Sequence, residues 1–283
     1  MLPTISILGL GLMGRPMARR LIAKGFDVRG WNRSRLPEDL TAGITQCPDL
    51  QDAAAAEVLL FMLEDSSATD AVLDRLEPYL RPPHLVLDMG SSDPARSRAH
   101  AAKLAARGIG WVDAPVSGGP EGAANGILSV MVGGTEADVS RARPLLEAVG
   151  GNIVHVGPPG AGHTTKVINQ IIVGLAIEAV AEALTLAEKC GLDPCAVQQA
   201  LRGGYADSRV LQIHGTRMVN RAYTPGGKAR THLKDLRLAQ SLASSVGVRL
   251  PHLESVATLF QTLVDQGGGD LDHSALHRLL WTP

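Results

Sequence analysis

Short apolar runs, β-branched or leucine-rich, alternate with amphipathic stretches through the first half of the chain. Thr4 to Leu8, Phe26 to Trp31, Val58 to Leu63, Leu85 to Asp88, Gly110 to Asp113, Leu128 to Val132 and Asn152 to Val156 have the length and bounding residues of strands. Pro16 to Lys24, Ala53 to Ala56, Ala68 to Leu76 and Ala95 to Arg107 have helical spacing and composition. That alternation predicts βαβ units on a parallel, doubly wound sheet. The pattern changes after Val156. Gly157-Pro158-Pro159-Gly160-Ala161-Gly162 breaks regular structure, and Thr164 to Cys190 follows as a long run of helix formers with almost no charge before Glu178. A helix apolar all round is expected to be buried. Gly191 is a C-terminal stop, and Asp193-Pro194 reads as an N-cap followed by proline at the first helical position. Further helices are predicted over Ala196 to Arg202, Asp207 to Asn220, His232 to Ser245 and Leu253 to Gln266. The fold class expected is α/β, with a doubly wound N-terminal domain over 1–157, an all-α C-terminal domain over 158–283, and a long helix linking them.

Composition fits this division. With 283 residues, 45% of them hydrophobic and 19% charged, and a net charge of −1, each half can bury a core. Nothing in the charge asks for nucleic acid or a membrane surface, and no uninterrupted apolar run reaches the roughly eighteen residues of a span. Met1 to Met13 is apolar but has no cationic start and is broken by glycine from Gly9, so it reads as a buried strand rather than a signal peptide. Cys47, Cys190 and Cys195 form neither a CxxC pair nor a His/Cys cluster, so neither disulfides nor a metal site are expected, and a cytoplasmic location is.

Gly9-Leu10-Gly11-Leu12-Met13-Gly14 directly follows the first strand and opens a helix. In this setting Gly9 permits a tight turn, Gly11 lets backbone approach a pyrophosphate, and Gly14 allows close helix packing, the fingerprint of a Rossmann-type dinucleotide site. The helix N-terminus receives the anion. At the end of the second strand, where an NAD reader places a carboxylate, stand Asn32, Arg33, Ser34 and Arg35. A guanidinium pairs with a 2′-phosphate that a carboxylate would repel, so NADPH is the expected cofactor, with NAD as the alternative. Arg33 and Arg35 are also compatible with plain solvated loop charges.

Asp113-Ala114-Pro115-Val116-Ser117-Gly118-Gly119 leaves a strand and joins a hydroxyl to two glycines, a turn that can hold a substrate carboxylate or be a simple loop. Lys166 lies just inside the long apolar helix, with Asn169 and Gln170 three and four positions on and therefore near the same face. A lysine there either snorkels to solvent or, partly withdrawn from water, serves as a general acid and base. Lys234-Asp235 opens another helix; adjacent residues do not share a face, which favours a solvated pair over a salt bridge.

Together these residues resemble the β-hydroxyacid dehydrogenase family along essentially the whole chain. Gly9 to Ala18 is similar to that family's glycine signature, Asp113 to Gly119 to its substrate motif, Gly160 to Asn169 to its catalytic motif, and Lys234-Asp235 to its cofactor-closing motif. The resemblance implies that Lys166 is the catalytic acid, that Ser117, Gly118, Gly119, Asn169 and Gln170 bind substrate, that Leu63 and Ser91 reach the cofactor, and that Lys234 closes over it instead of being solvated. Lys166 to Val173, Ile177 to Leu184, Gly203-Gly204 with Ser208, and Asp272 to Leu276 resemble the subgroup that reduces tartronate semialdehyde to glycerate. Gly227 departs from it, standing where that subgroup carries phenylalanine, and Asn32-Arg33 looks more like the NADPH-using glyoxylate and succinic semialdehyde reductases. The function expected is NADPH-dependent reduction of a small semialdehyde acid by a homodimer or homotetramer. The alternatives are glyoxylate or succinic semialdehyde reduction, a 3-hydroxyisobutyrate-type dehydrogenase, and a dinucleotide-binding sensor without catalysis.

Overall fold

A computed structural model describes residues 2–281, which divide into two compact units, one running to Lys166 and the other from Val167. The first unit contains β1 (Ile5–Leu8), α1 (Gly14–Ala23), β2 (Val28–Trp31), β3 (Thr45–Gln46), α2 (Leu50–Ala53), β4 (Val58–Phe61), α3 (Ser66–Leu76), β5 (Leu85–Asp88), α4 (Pro94–Ala105), β6 (Gly110–Asp113), β7 (Val116–Ser117), α5 (Gly119–Asn125), β8 (Leu128–Gly134), α6 (Glu136–Val149) and β9 (Gly150–Gly157). The sheet order is β3-β2-β1-β4-β5-β6-β8-β7, with β9 also on β8. Strands from β3 to β6 run parallel, β8 is antiparallel to both β6 and β7, and β9 is parallel to β8.

Alternation along the parallel strands gives the sheet a separate core on each face. Ile5, Ile7, Val58, Leu60, Leu85 and Leu87 pack with Met17 and Leu21 of α1 and with Leu145 of α6. Their intervening neighbours Leu8, Leu59, Phe61 and Val86 pack with Leu73 and Leu76 of α3 and Leu104 of α4. Two-sided burial is why these strands read as continuous apolar runs. The elements additional to the predicted ones have weak local signals. Two of them, β3 and β7, are two residues long, α5 contains Pro120 and Gly122, and α6 carries Pro144 in its interior. What secures α6 is Thr135, whose hydroxyl accepts from the Asp138 N–H at 3.2 Å.

The long helix α7 (Ala161–Lys189) begins in the first unit and continues into the second. The second unit adds α8 (Pro194–Leu201), a π-helical turn Leu211–Gly215 that leads into α9 (Thr216–Val219), α10 (Ala229–Ser245), α11 (Pro251–Asp265) and the 3-10 turns Gly268–Asp270 and His273–Leu279. It is mostly helical. The predicted helix Asp207 to Asn220 starts late, because Ser208 Oγ accepts from the Leu211 N–H at 3.0 Å and regular structure begins from that turn. Val167, Ile177, Val180, Ala181 and Leu184 of α7 join Leu233 and Leu236 of α10 and Val256 and Phe260 of α11 in this unit's core.

Although no uninterrupted apolar run in α7 reaches eighteen residues, since Asn169, Gln170 and Glu178 break the sequence, the helix as a whole is long and apolar enough to cross a membrane by length and composition. One expectation about it needs correction, since it is not buried all round. Ile168, Ile172 and Leu186 are 50%, 65% and 65% exposed, so one apolar stripe faces outward while the opposite face joins the core.

Candidate active site

The first unit assembles the dinucleotide turn from the carboxyl ends of β1, β4 and β5. Gly9 adopts φ +106°, and a Cβ there would lie 2.3 Å from the Met62 carbonyl oxygen. A Cβ on Gly14 would lie 1.9 Å from the Gly9 carbonyl oxygen, so α1 packs directly on the turn. Gly11 is different, since a Cβ there would meet nothing within 4 Å. Its missing side chain serves no contact inside the protein, which fits a position kept bare for a ligand. Leu63 lies beside this turn, its Cδ2 3.2 Å from where a Gly9 Cβ would be and its carbonyl oxygen 2.8 Å from the corresponding point on Gly90, the residue before Ser91. Leu12 is exposed, Met13 is partly buried, and α1 opens with no side-chain cap and no acidic residue in its first turn. Its N–H groups and dipole suit an anion. These residues fit a nicotinamide dinucleotide.

Asn32 also has a structural task. Its Oδ1 accepts from the Leu10 N–H at 3.1 Å and its Nδ2 donates to the Ser34 carbonyl at 2.8 Å. It ties the glycine turn to the end of β2. Arg33, Ser34 and Arg35 are exposed, and among the described residues no ion pair holds either arginine.

Lys166 does not snorkel. It is half-buried, and its Nζ donates to the Val116 carbonyl at 2.8 Å, next to Ser117. Ser117 ends β7, and Gly118 and Gly119 follow with φ +135° and +66°. One helical turn before Lys166 stands His163, fully buried with its Nε2 3.7 Å from Asp88 and its Nδ1 3.9 Å from Asp113. Burial pushes the Asp113 carboxyl up, while His163 and the N–H groups of Gly160 and His163 pull it down. Sequence reasoning missed this cluster. The available signal was that Asp88 and Asp113 both close parallel strands at their carboxyl ends, where open α/β sheets place their sites.

In the second unit Asn169 Nδ2 donates to Gln170 Oε1 at 2.9 Å, and Gln170 Nε2 donates to Asp235 Oδ2 at 2.7 Å and lies 3.3 Å from His232 Nδ1. Both ends of the Gln170 amide are thus engaged within the protein. Lys234 pairs with Asp235 at 3.1 Å, contrary to the solvated reading. Helix geometry keeps neighbouring Cβ atoms apart, but the flexible lysine stem reaches back to a carboxylate that is almost fully buried. At Gly227 a Cβ would touch the His273 ring at 3.5 Å. The loop is held by Asp272, whose buried carboxylate accepts from Gly226 N–H at 2.8 Å, from Gly227 N–H at 3.3 Å and from Arg217. Asp272 also comes together with His214 and His273; Asp272 and His273 lie in a segment that carried the resemblance, but nothing in the sequence tied His214 to them.

Residues 4–157 match the family model of the NAD-binding domain of 6-phosphogluconate dehydrogenase, and residues 160–280 match that described as NAD-binding of NADP-dependent 3-hydroxyisobutyrate dehydrogenase. The chain is 40% identical over 281 residues to 2-hydroxy-3-oxopropionate reductase of Escherichia coli K12, covering 98% of this chain and 96% of that protein. The structure of Mycobacterium tuberculosis 3-hydroxyisobutyrate dehydrogenase with L-serine is similar at TM-score 0.87, with 30% identity and 100% of both chains covered. Psf3 in complex with NADP+ and 2-OPP is similar at TM-score 0.89, with 26% identity, covering 98% of this chain and 100% of that one. With both halves matched, the chain belongs to the β-hydroxyacid dehydrogenase family of NAD(P)-dependent oxidoreductases.

Proposed function

We propose that the chain reduces a small semialdehyde acid, with tartronate semialdehyde to glycerate as the preferred reaction, using NADPH and Lys166 as general acid. The observation that carries this reading is the Lys166 Nζ held 2.8 Å from the Val116 carbonyl, beside the Ser117 to Gly119 turn. The reduced nicotinamide supplies the hydride when bound. The turn at Ser117, Gly118 and Gly119 holds the substrate carboxylate, and Lys166 Nζ then donates a proton to the oxygen of the former carbonyl. Holding the acid end fixes the reacting carbon relative to the lysine, so positioning supplies much of the rate. Asn169, one helical turn beyond Lys166, orients substrate, while Gln170 is assigned to orienting Asn169 because its own amide is engaged. The preference for NADPH is supported by the exposed Arg33 at the end of β2, and the similarity to the Escherichia coli reductase supports the substrate.

The second reading is a dehydrogenase of 3-hydroxy acids, favoured by the similarity to the 3-hydroxyisobutyrate dehydrogenase structure with L-serine. Initial rates decide between the two when NADPH and NADH are each crossed with tartronate semialdehyde, glyoxylate and succinic semialdehyde, and NADP+ and NAD+ with glycerate, 3-hydroxyisobutyrate and L-serine. A kcat/KM for tartronate semialdehyde below that for every other substrate refutes the first reading. The outward stripe of Ile168, Ile172 and Leu186 on α7 supports a homodimer or homotetramer. The exposed free thiols of Cys190 and Cys195 support a reducing compartment, the cytoplasm.

A further inference from the structure

We infer that Asp113 is the positioning residue for Lys166, acting through the backbone of the first turn of α7. The carboxylate is fully buried at the end of β6. Its Oδ1 accepts from the Gly160 N–H at 2.7 Å and its Oδ2 from the His163 N–H at 2.9 Å. These are helix-start donors with no partner inside the helix, and an anion there also meets the positive end of the helix dipole. Glycines let the turn lie flat on the sheet. A Cβ on Gly162 would fall 2.4 Å from the carbonyl oxygens of both Asp113 and Met131, and one on Gly133 would fall 2.7 Å from the Gly162 nitrogen.

One turn further along, Lys166 Nζ donates to the Val116 carbonyl at 2.8 Å. The segment Asp113 to Val116 therefore grips α7 at two points, by its first side chain at the helix start and by its last carbonyl at the ammonium. The same segment continues into Ser117, so the clamp places the lysine relative to the turn that precedes α5. The His163 imidazole lies between Asp88 and Asp113 at 3.7 and 3.9 Å, beyond hydrogen-bond reach, whereas its backbone N–H makes the short contact.

The activity readout rests on Lys166 being the proton donor, so a second readout is independent of turnover. In the full-length chain, kcat, NADPH affinity and the rate of Lys166 acetylation by an amine-reactive acetyl ester, read by peptide mass spectrometry, are compared for the unmodified protein, Asp113→Asn and Gly162→Ala. Asp113→Asn keeps the shape but loses an acceptor and the charge. It is expected to lower kcat by about 10²-fold, the effect of a displacement near 1 Å, with NADPH Kd within about twofold. Lys166 acetylation should rise severalfold as the ammonium leaves Val116. If Asp113→Asn does not fold, Gly162→Ala decides by the same readouts, since it keeps the carboxylate and displaces the turn. The inference is overturned if the deciding variant keeps kcat and acetylation within about threefold of the unmodified protein. Should the unmodified protein turn over none of the substrates, that result counts against the Lys166 reading alone, and an acetylation ratio near one still overturns the clamp.

Discussion

The glycines at 9, 11 and 14 look equivalent in sequence, but their surroundings make them separable by experiment. Gly11 has open space around its Cα, and its φ lies outside the left-handed region, so Gly11→Ala fits the folded protein without strain. Its stability should change by no more than about 1 kcal/mol, with a stabilising component from the loss of unfolded-state freedom. If position 11 faces the pyrophosphate, as the glycine fingerprint implies, the added methyl stands in its way. Loss of one charge-assisted hydrogen bond, worth ~1.5–3 kcal/mol, corresponds to a Kd increase of about ten- to a hundredfold. Gly14→Ala reverses the balance. Its Cβ would sit 1.9 Å from the Gly9 carbonyl oxygen, a backbone atom that cannot swing aside, so α1 must lift from the turn. Overpacking of this kind costs ~1–3 kcal/mol or more. Thermal scans of the ligand-free proteins and fluorescence titration with NADPH measure the two quantities. Nucleotide binding by Gly11→Ala within about twofold of the unmodified protein, or destabilisation equal to that of Gly14→Ala, refutes the idea that position 11 is kept bare for a ligand.

Lys166→Ala should lower kcat by about 10²- to 10⁴-fold while NADPH binding persists, as stopped-flow and titration would show; near-normal turnover excludes it as the acid. Arg33→Ala should shrink the ratio of NADPH to NADH kcat/KM by about tenfold, and an unchanged ratio would mean that this arginine is only a solvated loop charge. At Asp272 burial alone would raise the carboxyl, but His214, His273, Ser274 and the Gly226 N–H outweigh it and hold the group well below the usual carboxylate range. The stability it contributes is therefore complete above its unfolded pKa of about 4 and is lost as pH falls towards the folded value. Asp272→Asn should flatten the acid limb of the stability curve, followed by circular dichroism between about pH 5 and 2, and an unchanged slope would refute that assignment. If the exposed stripe of α7 is a subunit interface, Ile172→Glu places a charge in it and should reduce the mass measured by light scattering; an unchanged mass refutes that role for the stripe.

Much of the first unit was legible because its strands are buried on both faces and its helices repeat at their own period. Leu85–Asp88 and Gly110–Asp113 have the predicted bounds. Length limited the rest, since two-residue strands such as Val116–Ser117 exist only through their pairing with β8. The site was legible in residue types but not in the contacts those residues make. Asn32 stands where a ribose reader is expected, and its Oδ1 also accepts from the Leu10 N–H, 22 positions earlier. Gln170 shares its amide between the neighbouring Asn169 and Asp235 on another helix.

By itself the sequence determined the α/β alternation, the glycine turn, the change to helix after Gly157 and the suspicion attached to Lys166, because each of these is a property of residues close together in the chain. Tertiary structure alone decided which of three glycines faces open space, where the ammonium of Lys166 is held, and that Asp88, Asp113 and His163 meet in the dark interior of the first unit. Those facts depend on atoms many residues apart, such as the 50 positions between Asp113 and His163. Only the pairing of β5 with β6 and the seating of α7 upon them brings such groups within reach of one another.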